Sequence, residues 1–395
     1  MDQVVKLPEI IMAKKLLCSR HYVLLIVLLA ITASILIPIG HDTENNLTLT
    51  KMLANRSERK LTIDWQQQKV VEDAIKTGIA SYHARSGVAL VIDVHSGAIK
   101  AMASYSHGGT VESMQDIITP YEPGSVVKPL VIAAALNEGA VGPNYQYYDE
   151  DLINIGGRHI VNALNYGPGE RSLQDIITFS LNTGAVHILQ QLDGSSENDT
   201  IQSKWYSYLQ NNYGFGTQTT SDFIIRSRAT LPDLSWLPDA KARYAQTSFG
   251  IGLTVSPLQL AAAFSAVIGD GTLHSPYIYA ASANTQKVTR AVSKPTSETV
   301  RQLLVHALSK NNPKALRAGY SIGAKSGTAP IADKGGVYQE NTNHGTYIGF
   351  VGVGAPQLVL FVRLDKPIID GFASTAAAQV WKNMVQALID NDLIY

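Results

Sequence analysis

The sequence has little cysteine and no excess of charge. Its 395 residues include a single cysteine, and the 32 basic side chains equal the 32 acidic ones in number. The fold must therefore be stable without disulfides, and the balanced charge gives no reason to expect a nucleic-acid-binding face. No metal-ligand spacing appears among the ten histidines and the cysteine. We expect no metal, no cofactor and no nucleic-acid partner.

Other absences narrow the class further. The chain has no internal repeats, no low-complexity runs and no Gly-x-Ser-x-Gly sequence, and the last of these absences disfavours a serine hydrolase of the α/β type. With 45% hydrophobic residues, the chain can form a large buried core. We expect one large domain or two subdomains.

One long apolar run lies near the N-terminus. Residues 22–39 carry no charge, and their number is about the minimum that crosses a bilayer. Basic residues precede the run and acidic residues follow it, so the positive-inside rule places residues 1–21 in the cytoplasm. A cleaved signal peptide is the alternative, although the run exceeds the usual length of a signal core.

The predicted organisation is a single-pass membrane protein. It has a cytoplasmic segment at 1–21, a transmembrane anchor at 22–40, a polar tether at 41–60 and one folded domain at 61–395. The folded domain is expected outside the cytoplasm, in the periplasm or at the cell surface.

The folded part begins with a predicted helix and a β-hairpin. Asp64 and Gln67 have the spacing of a capping box, which predicts the start of a helix. Strands are predicted over 87–94 and 98–104, joined by a turn at 95–97.

The remainder is predicted to be a helical block, three strands and a final amphipathic helix. The block spans about 125–310, and Ser256 begins a well-formed helix within it. The strands are predicted over 321–330, 346–352 and 357–364, with a polar loop over 331–343. Short loops between consecutive strands favour antiparallel pairing. We predict an α/β (α+β) fold in which the terminal helices flank a five-stranded antiparallel sheet that carries an inserted all-helical subdomain.

Ser125 and Lys128 form the first motif that could carry chemistry. They follow the turn residues Pro123 and Gly124 at the start of an apolar helix, and residues three apart share a helix face. A lysine among apolar neighbours has a lowered pKa and can take the proton of a serine hydroxyl. The alternative is a serine cap followed by a lysine that extends to solvent.

Ser180 and Asn182 form the second motif, at a break between two predicted helices. Residues two apart in an extended chain face the same side, so both side chains could enter one cleft. The alternative is ordinary helix-break chemistry, which favours serine and asparagine.

Lys325, Ser326, Gly327 and Thr328 form the third motif, within a predicted strand. A glycine inside a strand often marks the close approach of a ligand backbone, and an edge strand can bind an extended peptide. The lysine would attract a carboxylate, and the hydroxyl groups would donate hydrogen bonds to it. The alternative is an edge strand protected by its lysine.

The three motifs in this order resemble the catalytic signature of the penicillin-binding proteins. The chain is most similar to class B members, the monofunctional peptidoglycan D,D-transpeptidases of division and elongation. The resemblance extends over about residues 60–390 and is carried by the motifs and the surrounding phrases at 61–64, 121–128, 244–260 and 344–352. It implies the serine β-lactamase and D,D-peptidase fold.

The resemblance also implies a mechanism. Ser125 attacks the penultimate D-alanyl carbonyl of a stem pentapeptide, D-alanine leaves, and an amine of a neighbouring stem peptide takes the acyl group. Lys128 acts as the base for Ser125. Ser180 relays the proton to the leaving amine, and Asn182 orients the lysine and the donor amide.

The third motif has an implied binding role. Lys325, Ser326, Gly327 and Thr328 hold the terminal carboxylate of the substrate. The backbone N–H groups of Ser125 and Thr328 form the oxyanion hole. The implied partners are stem peptides, β-lactams and the inner membrane. Family members usually carry a pedestal domain between anchor and catalytic domain, and a SEDS-type glycosyltransferase contacts that pedestal. Here about twenty residues separate the predicted anchor from the folded domain. The resemblance therefore leaves open whether a SEDS-type glycosyltransferase is a partner.

Other functions are compatible with the same fold. A D,D-carboxypeptidase would use water in place of the amine. A β-lactamase needs a glutamate to activate water, and none follows Asn182 at the short spacing those enzymes use. A non-catalytic β-lactam sensor or scaffold needs further membrane segments or an effector domain, for which residues 1–21 are too short.

Overall fold

A computed structural model of the chain describes residues 60–108, 115–194, 204–215, 222, 239–332 and 338–394. The predicted anchor at 22–40 and all but the last residue of the predicted tether lie outside these ranges. Within them, no helix combines the length and apolar character needed to cross a bilayer.

A five-stranded antiparallel sheet forms the centre of the domain. In spatial order its strands are β2 (Ile99–Ser106), β1 (Ser86–Asp93), β11 (Leu358–Asp365), β10 (Tyr338–Val353) and β9 (Tyr320–Ala332). The insertion therefore enters after the second strand, and the chain then returns to the other half of the sheet. This confirms the predicted sheet and its antiparallel pairing.

Two terminal helices cover one face of the sheet, as predicted. They are α1 (Trp65–Ser81) and α10 (Ala373–Asp390). Ile75 of α1 and Trp381 of α10 are fully buried in one apolar cluster with the strands, and the Trp381 indole donates to the Leu360 carbonyl at 3.0 Å. Burying apolar area of this kind is the main stabilising contribution.

The start of α1 is capped in one direction only. Asp64 Oδ1 accepts from the backbone N–H groups of Gln66 and Gln67 at 3.0 and 3.1 Å, which confirms the predicted cap. The predicted capping box is wrong, because the Asp64 N–H donates to the Lys100 carbonyl. The Gln67 side chain donates instead to the Leu393 carbonyl at 3.0 Å. The glutamine therefore joins the two ends of the domain.

The insertion packs on the opposite face of the sheet. Its buried centre is α8 (Pro257–Ile268), where Ser256 and Gln259 form a capping box at the predicted helix start and all twelve residues are buried. The other α-helices described between β2 and β9 are α2 (Gln115–Ile118), α3 (Lys128–Asn137), α4 (Leu173–Thr178), α5 (Asn182–Asp193), α6 (Lys204–Ser207), α7 (Ala240–Thr247) and α9 (Lys294–Asn311).

The insertion is mainly helical rather than all-helical, which corrects the prediction. Three two-stranded sheets lie within its described part. Each strand has only three or four residues, too few for the alternation of buried and exposed side chains to stand out in the sequence. They are β3 (Gln146–Asp149), β4 (Leu152–Ile155), β5 (Arg158–Val161), β6 (Gly169–Ser172), β7 (Thr272–His274) and β8 (Val288–Arg290).

The hairpin of β9 and β10 is longer than predicted. The sequence predicted a polar loop over 331–343, but Asn343 pairs with Pro330 and Tyr338 pairs with Ala332. The register shifts between Tyr338 and Asn343. Polar side chains are compatible with a hairpin whose backbone groups pair with one another, so polarity alone misled the prediction.

Candidate active site

Ser125 lies on a tight turn that continues into a buried helix. Gly124–Val127 form a 3₁₀ turn and α3 begins at Lys128, with Pro129 in its first turn where it is tolerated. Lys128 Nζ lies 2.7 Å from Ser125 Oγ. The predicted helix start and shared face are therefore confirmed.

The nucleophile turn is anchored to a second segment of the insertion. The backbone of Tyr121 exchanges two hydrogen bonds with Val255, at 3.1 and 3.0 Å. The Gly124 N–H donates to the Gly250 carbonyl at 3.0 Å. These bonds fix the path of the chain on the N-terminal side of Ser125.

Two glycines allow the nucleophile turn to contact β9. Gly124 has φ +64°, and a Cβ there would lie 2.7 Å from the Thr328 carbonyl oxygen. A Cβ on Gly327 would lie 2.8 Å from the Pro123 carbonyl oxygen. A glycine in β9 was expected to mark the approach of a ligand backbone, whereas the backbone that approaches Gly327 belongs to the chain itself.

Ser180 and Asn182 lie at the predicted break between α4 and α5. Ser180 has φ +57°, Leu181 is extended, and Asn182 is the first residue of α5. The side chains of Ser180 and Asn182 both contact Lys128. The turn brings them together, whereas the sequence predicted that an extended segment would do so. A left-handed serine is uncommon and costs energy that the surroundings must offset.

Lys128 is fully buried and has four polar contacts. Its Nζ lies 2.6 Å from the Ser180 carbonyl oxygen, 2.8 Å from Asn182 Oδ1 and 3.2 Å from Ser180 Oγ, in addition to Ser125. Burial, and secondly the charge of Lys325, hold the pKa of Lys128 well below its usual range. A neutral amine can donate its two hydrogens to the carbonyl and amide oxygens. Its lone pair then faces the hydroxyl of Ser125.

Lys325 approaches Ser180 from the sheet. Its Nζ lies 2.9 Å from Ser180 Oγ and 2.9 Å from the Ser326 carbonyl oxygen. Burial lowers the pKa of Lys325 to about 7. The Ser180 hydroxyl is therefore in contact with both lysines, which is the geometry of a proton relay.

These residues open into one cleft of about 680 Å³. Seven of the eight predicted site residues line the cleft, and Lys128 lies buried beneath them. Thr328 Oγ1 accepts from the Ser374 N–H at the start of α10, at 3.2 Å. Among the described residues that line the cleft there is no aspartate or glutamate. The cleft can therefore attract an anion but offers no carboxylate base. The seven residues at its surface are Ser125, Ser180, Asn182, Lys325, Ser326, Gly327 and Thr328.

A buried ion pair behind the nucleophile turn was not predicted. On β11, Arg363 Nε lies 2.9 Å from Asp365 Oδ1, and His344 Nδ1 lies 2.5 Å from the same carboxylate oxygen. Arg363 stacks 4.7 Å from the centre of the Tyr121 ring, whose hydroxyl lies 3.2 Å from Thr346 Oγ1. Arg363, followed by the hydrogen bond from His344, keeps the pKa of Asp365 far below its usual range despite burial. Tyr121 thereby joins the nucleophile turn to the strand beside β9.

Comparisons with known proteins show which sequences and folds this chain resembles. The family model of the penicillin-binding protein transpeptidase domain matches residues 87–386. Stage V sporulation protein D of Bacillus subtilis is 28% identical over 353 residues, which cover 83% of this chain and 53% of that protein. The probable peptidoglycan D,D-transpeptidase PenA of Neisseria flavescens is 27% identical over 350 residues, covering 85% and 83%.

Solved structures share the fold. The transpeptidase domain of penicillin-binding protein 3 from Burkholderia pseudomallei has a TM-score of 0.71 at 25% identity, covering 85% of this chain and 96% of that one. Penicillin-binding protein 3 of Mycobacterium tuberculosis, complexed with aztreonam, has a TM-score of 0.73 at 23% identity, covering 85% and 79%. The chain spans 53% and 61% of the length of two curated relatives, the sporulation protein and an FtsI homologue of Mesostigma viride.

Proposed function

The chain belongs to the penicillin-binding protein transpeptidase family, and on that premise we propose that it is a peptidoglycan D,D-transpeptidase that cross-links stem peptides through a serine acyl-enzyme. The observation that carries the proposal is the contact of a buried lysine with three side chains from two motifs. Lys128 Nζ lies within 3.2 Å of Ser125 Oγ, Ser180 Oγ and Asn182 Oδ1.

Acylation follows from these contacts. Lys128 takes the proton of Ser125 as Oγ attacks the penultimate D-alanyl carbonyl, and the C–N bond to the terminal D-alanine breaks. The proton passes from Lys128 through the Ser180 hydroxyl to the leaving amine. The product is an ester on Ser125, and D-alanine leaves as the free amino acid.

The sheet side of the cleft binds the end of the substrate. Lys325, Ser326 and Thr328 hold the terminal carboxylate of the stem peptide. A β-lactam carries a similar carboxylate. The backbone N–H groups of Ser125 and Thr328 bind the oxyanion, typically the largest electrostatic contribution in acyl transfer. Gly124 and Gly327 support this assignment, because their lack of a Cβ lets the two segments lie in contact.

The ester is then transferred to an amine. The absence of aspartate and glutamate among the described residues of the cleft supports transfer rather than hydrolysis, since neither is present to activate water. An amine of a second stem peptide attacks the ester, and its proton returns to Ser125 through Lys128. This observation disfavours a β-lactamase and, less strongly, a D,D-carboxypeptidase.

The test is a product assay with the full chain in detergent. A stem pentapeptide ending in D-alanyl-D-alanine is mixed with a second stem peptide that carries a free side-chain amine, and products are counted by mass spectrometry. We expect a cross-linked dimer that is lost in Ser125→Ala. Release of tetrapeptide alone would indicate a carboxypeptidase, and rapid turnover of penicillin would indicate a β-lactamase. An acyl-enzyme that forms without either peptide product would indicate a sensor.

We further propose that the domain acts outside the cytoplasm on a single membrane anchor at residues 22–40. The charge asymmetry around this run supports the orientation. A reporter that is active only outside the cytoplasm, fused after Tyr395, is expected to be active. Activity of a cytoplasm-only reporter at the same position would contradict the orientation and the role in the wall. A SEDS-type glycosyltransferase remains a proposed partner on the strength of the family alone.

A further inference from the structure

The turn that carries Ser180 and Asn182 lacks a cap of its own. Leu181 is the N-cap residue of α5, and a leucine side chain accepts no hydrogen bond from the first N–H groups of the helix. Ser180 is in the left-handed region at φ +57°. The turn therefore needs support from another part of the chain.

Asn162, directly after β5, supplies that support. Its Oδ1 accepts from the backbone N–H groups of Asn182 and Thr183, at 2.6 and 3.2 Å. These are the N–H groups that an N-cap side chain or its equivalent has to satisfy at a helix start. Asn162 is thus a cap for α5 contributed from twenty residues upstream.

The residue before it orients the side chain of Asn182. The Val161 carbonyl accepts from Asn182 Nδ2 at 3.0 Å. With its nitrogen held there, the amide turns Oδ1 toward Lys128, 2.8 Å from Nζ. Residues 161 and 162 together fix the backbone and the amide of Asn182.

Asp151 and Thr183 fix the orientation of the Asn162 amide. Its Nδ2 donates to Asp151 Oδ1 at 2.6 Å, and the second oxygen of Asp151 accepts from the Gly167 N–H at 3.1 Å. Asn162 Nδ2 also donates to Thr183 Oγ1 at 2.9 Å, and that hydroxyl donates to Asp149 at 2.7 Å. A carboxamide suits position 162, because its nitrogen faces the Asp151 carboxylate, which only accepts, and its oxygen faces two backbone N–H groups, which only donate.

We propose that Asn162 is a positioning residue for acylation, which rests on the function proposed above. Asn162 holds the Ser180–Asn182 turn so that the Ser180 carbonyl and Asn182 Oδ1 accept the two hydrogens of the Lys128 amine. The lone pair of that amine then faces Ser125. Asn162 itself does not line the cleft. Its loss should therefore slow the chemical step and leave the binding of the substrate almost unchanged.

The test separates these two steps with a fluorescent penicillin and the full chain in detergent. Stopped-flow acylation over a range of penicillin concentrations gives the dissociation constant of the initial complex and the acylation rate constant. A misplacement of about 1 Å can cost about a hundredfold in rate, so Asn162→Ala should lower the rate constant by about ten- to a hundredfold. The dissociation constant should change by less than about twofold.

A pair of substitutions distinguishes positioning from a general loss of structure. Asn162→Asp keeps the acceptor but sets two carboxylates against each other, so it should be as slow as Asn162→Ala. Adding Asp151→Asn returns a donor opposite the new oxygen but not the hydrogen bond to Thr183 Oγ1, so the double variant should be faster than Asn162→Asp by about threefold or more. Asn154→Ala is the control, since Asn154 is an exposed residue of β4 whose side chain bonds His159; it should acylate normally.

Two results would overturn the inference. One is a wild-type rate constant in Asn162→Ala, and the other is a double variant no faster than Asn162→Asp. The double variant is informative even where Asn162→Ala does not fold. If the wild-type chain forms no adduct at all, the proposed function fails instead, so the two failures are distinguishable.

Discussion

Replacing Lys128 tests whether this residue is the base or only a structural cation. Lys128 is fully buried, and its Nζ lies 2.7 Å from the nucleophile. Burial lowers its pKa, which favours the uncharged amine that a base requires. Arginine stays protonated at any accessible pH and has no lone pair to offer, so Lys128→Arg removes the base while it keeps a cation.

The magnitude follows from the role of a general base. Such a group typically contributes about 10²- to 10⁴-fold in rate, so acylation of Lys128→Arg by one penicillin should fall at least about a hundredfold. Arginine is also bulkier, and the site is closely packed. Lys128→Met controls for this, because methionine is of similar length, uncharged and not a base. We expect the same loss in both variants.

The matched comparison is Lys325→Arg. The proposed task of Lys325 is to present positive charge to a carboxylate, which arginine also does, so its loss of acylation should be smaller than that of Lys128→Arg. The assay is the second-order acylation rate constant of each variant, with the melting temperature as a check on folding. Acylation close to the wild-type rate in either Lys128 variant would refute the reasoning, because Ser125 would then lack an activating group.

Two further predictions concern pH and stability. Because the pKa of Lys325 is about 7, the lysine is charged below that pH and neutral above it. The second-order acylation rate constant should therefore fall as pH rises through 7, and Lys325→Arg should remove this decline. A decline of the same size in the variant would assign it to another group. Asp365→Asn should lower the free energy of unfolding by about 3–5 kcal/mol, since Arg363 would be left buried without its counter-ion. Folding depresses the pKa of Asp365, so this contribution is complete above about pH 4, where an unfolded aspartate ionises, and is lost as pH falls further. Denaturant unfolding at pH 7 and pH 3 measures both quantities, and equal losses at the two pH values would contradict the assignment.

Much of the fold could be predicted because its elements carry strong local signals. The helix start at Ser256, the apolar helix after Lys128 and the short apolar runs of the sheet strands are all encoded in neighbouring residues. Short loops between the last strands then favour antiparallel order. The short strands between 146 and 172 were missed because four residues give too little pattern.

The predictions that failed depend on distant partners. Gln67 has the spacing of a capping box, but its hydrogen bond goes to Leu393, 326 residues away. Similarly, Tyr121 contacts Thr346 across 225 residues and Arg363 on the next strand. No local pattern predicts such contacts, since the sheet registers that create them are fixed only on folding.

The candidate site shows the same division. Ser125 and Lys128 are three residues apart, so helix geometry alone predicts their contact. The contact of Lys325 with Ser180 joins residues 145 apart, and it could be expected only from the resemblance to a known family. Asn162 belongs to none of the three motifs, and only the tertiary structure reveals that it caps the helix that starts at Asn182.

The central claim is that Ser125 is the nucleophile of a serine acyl-enzyme. The most direct measurement is the intact mass of the full chain before and after incubation with a penicillin, followed by peptide mapping. We predict one adduct per chain with the mass of the whole penicillin, located on Ser125 and absent from Ser125→Ala, whose melting temperature stays close to that of the wild type. An adduct that persists in Ser125→Ala, or that maps to another residue, would contradict the account.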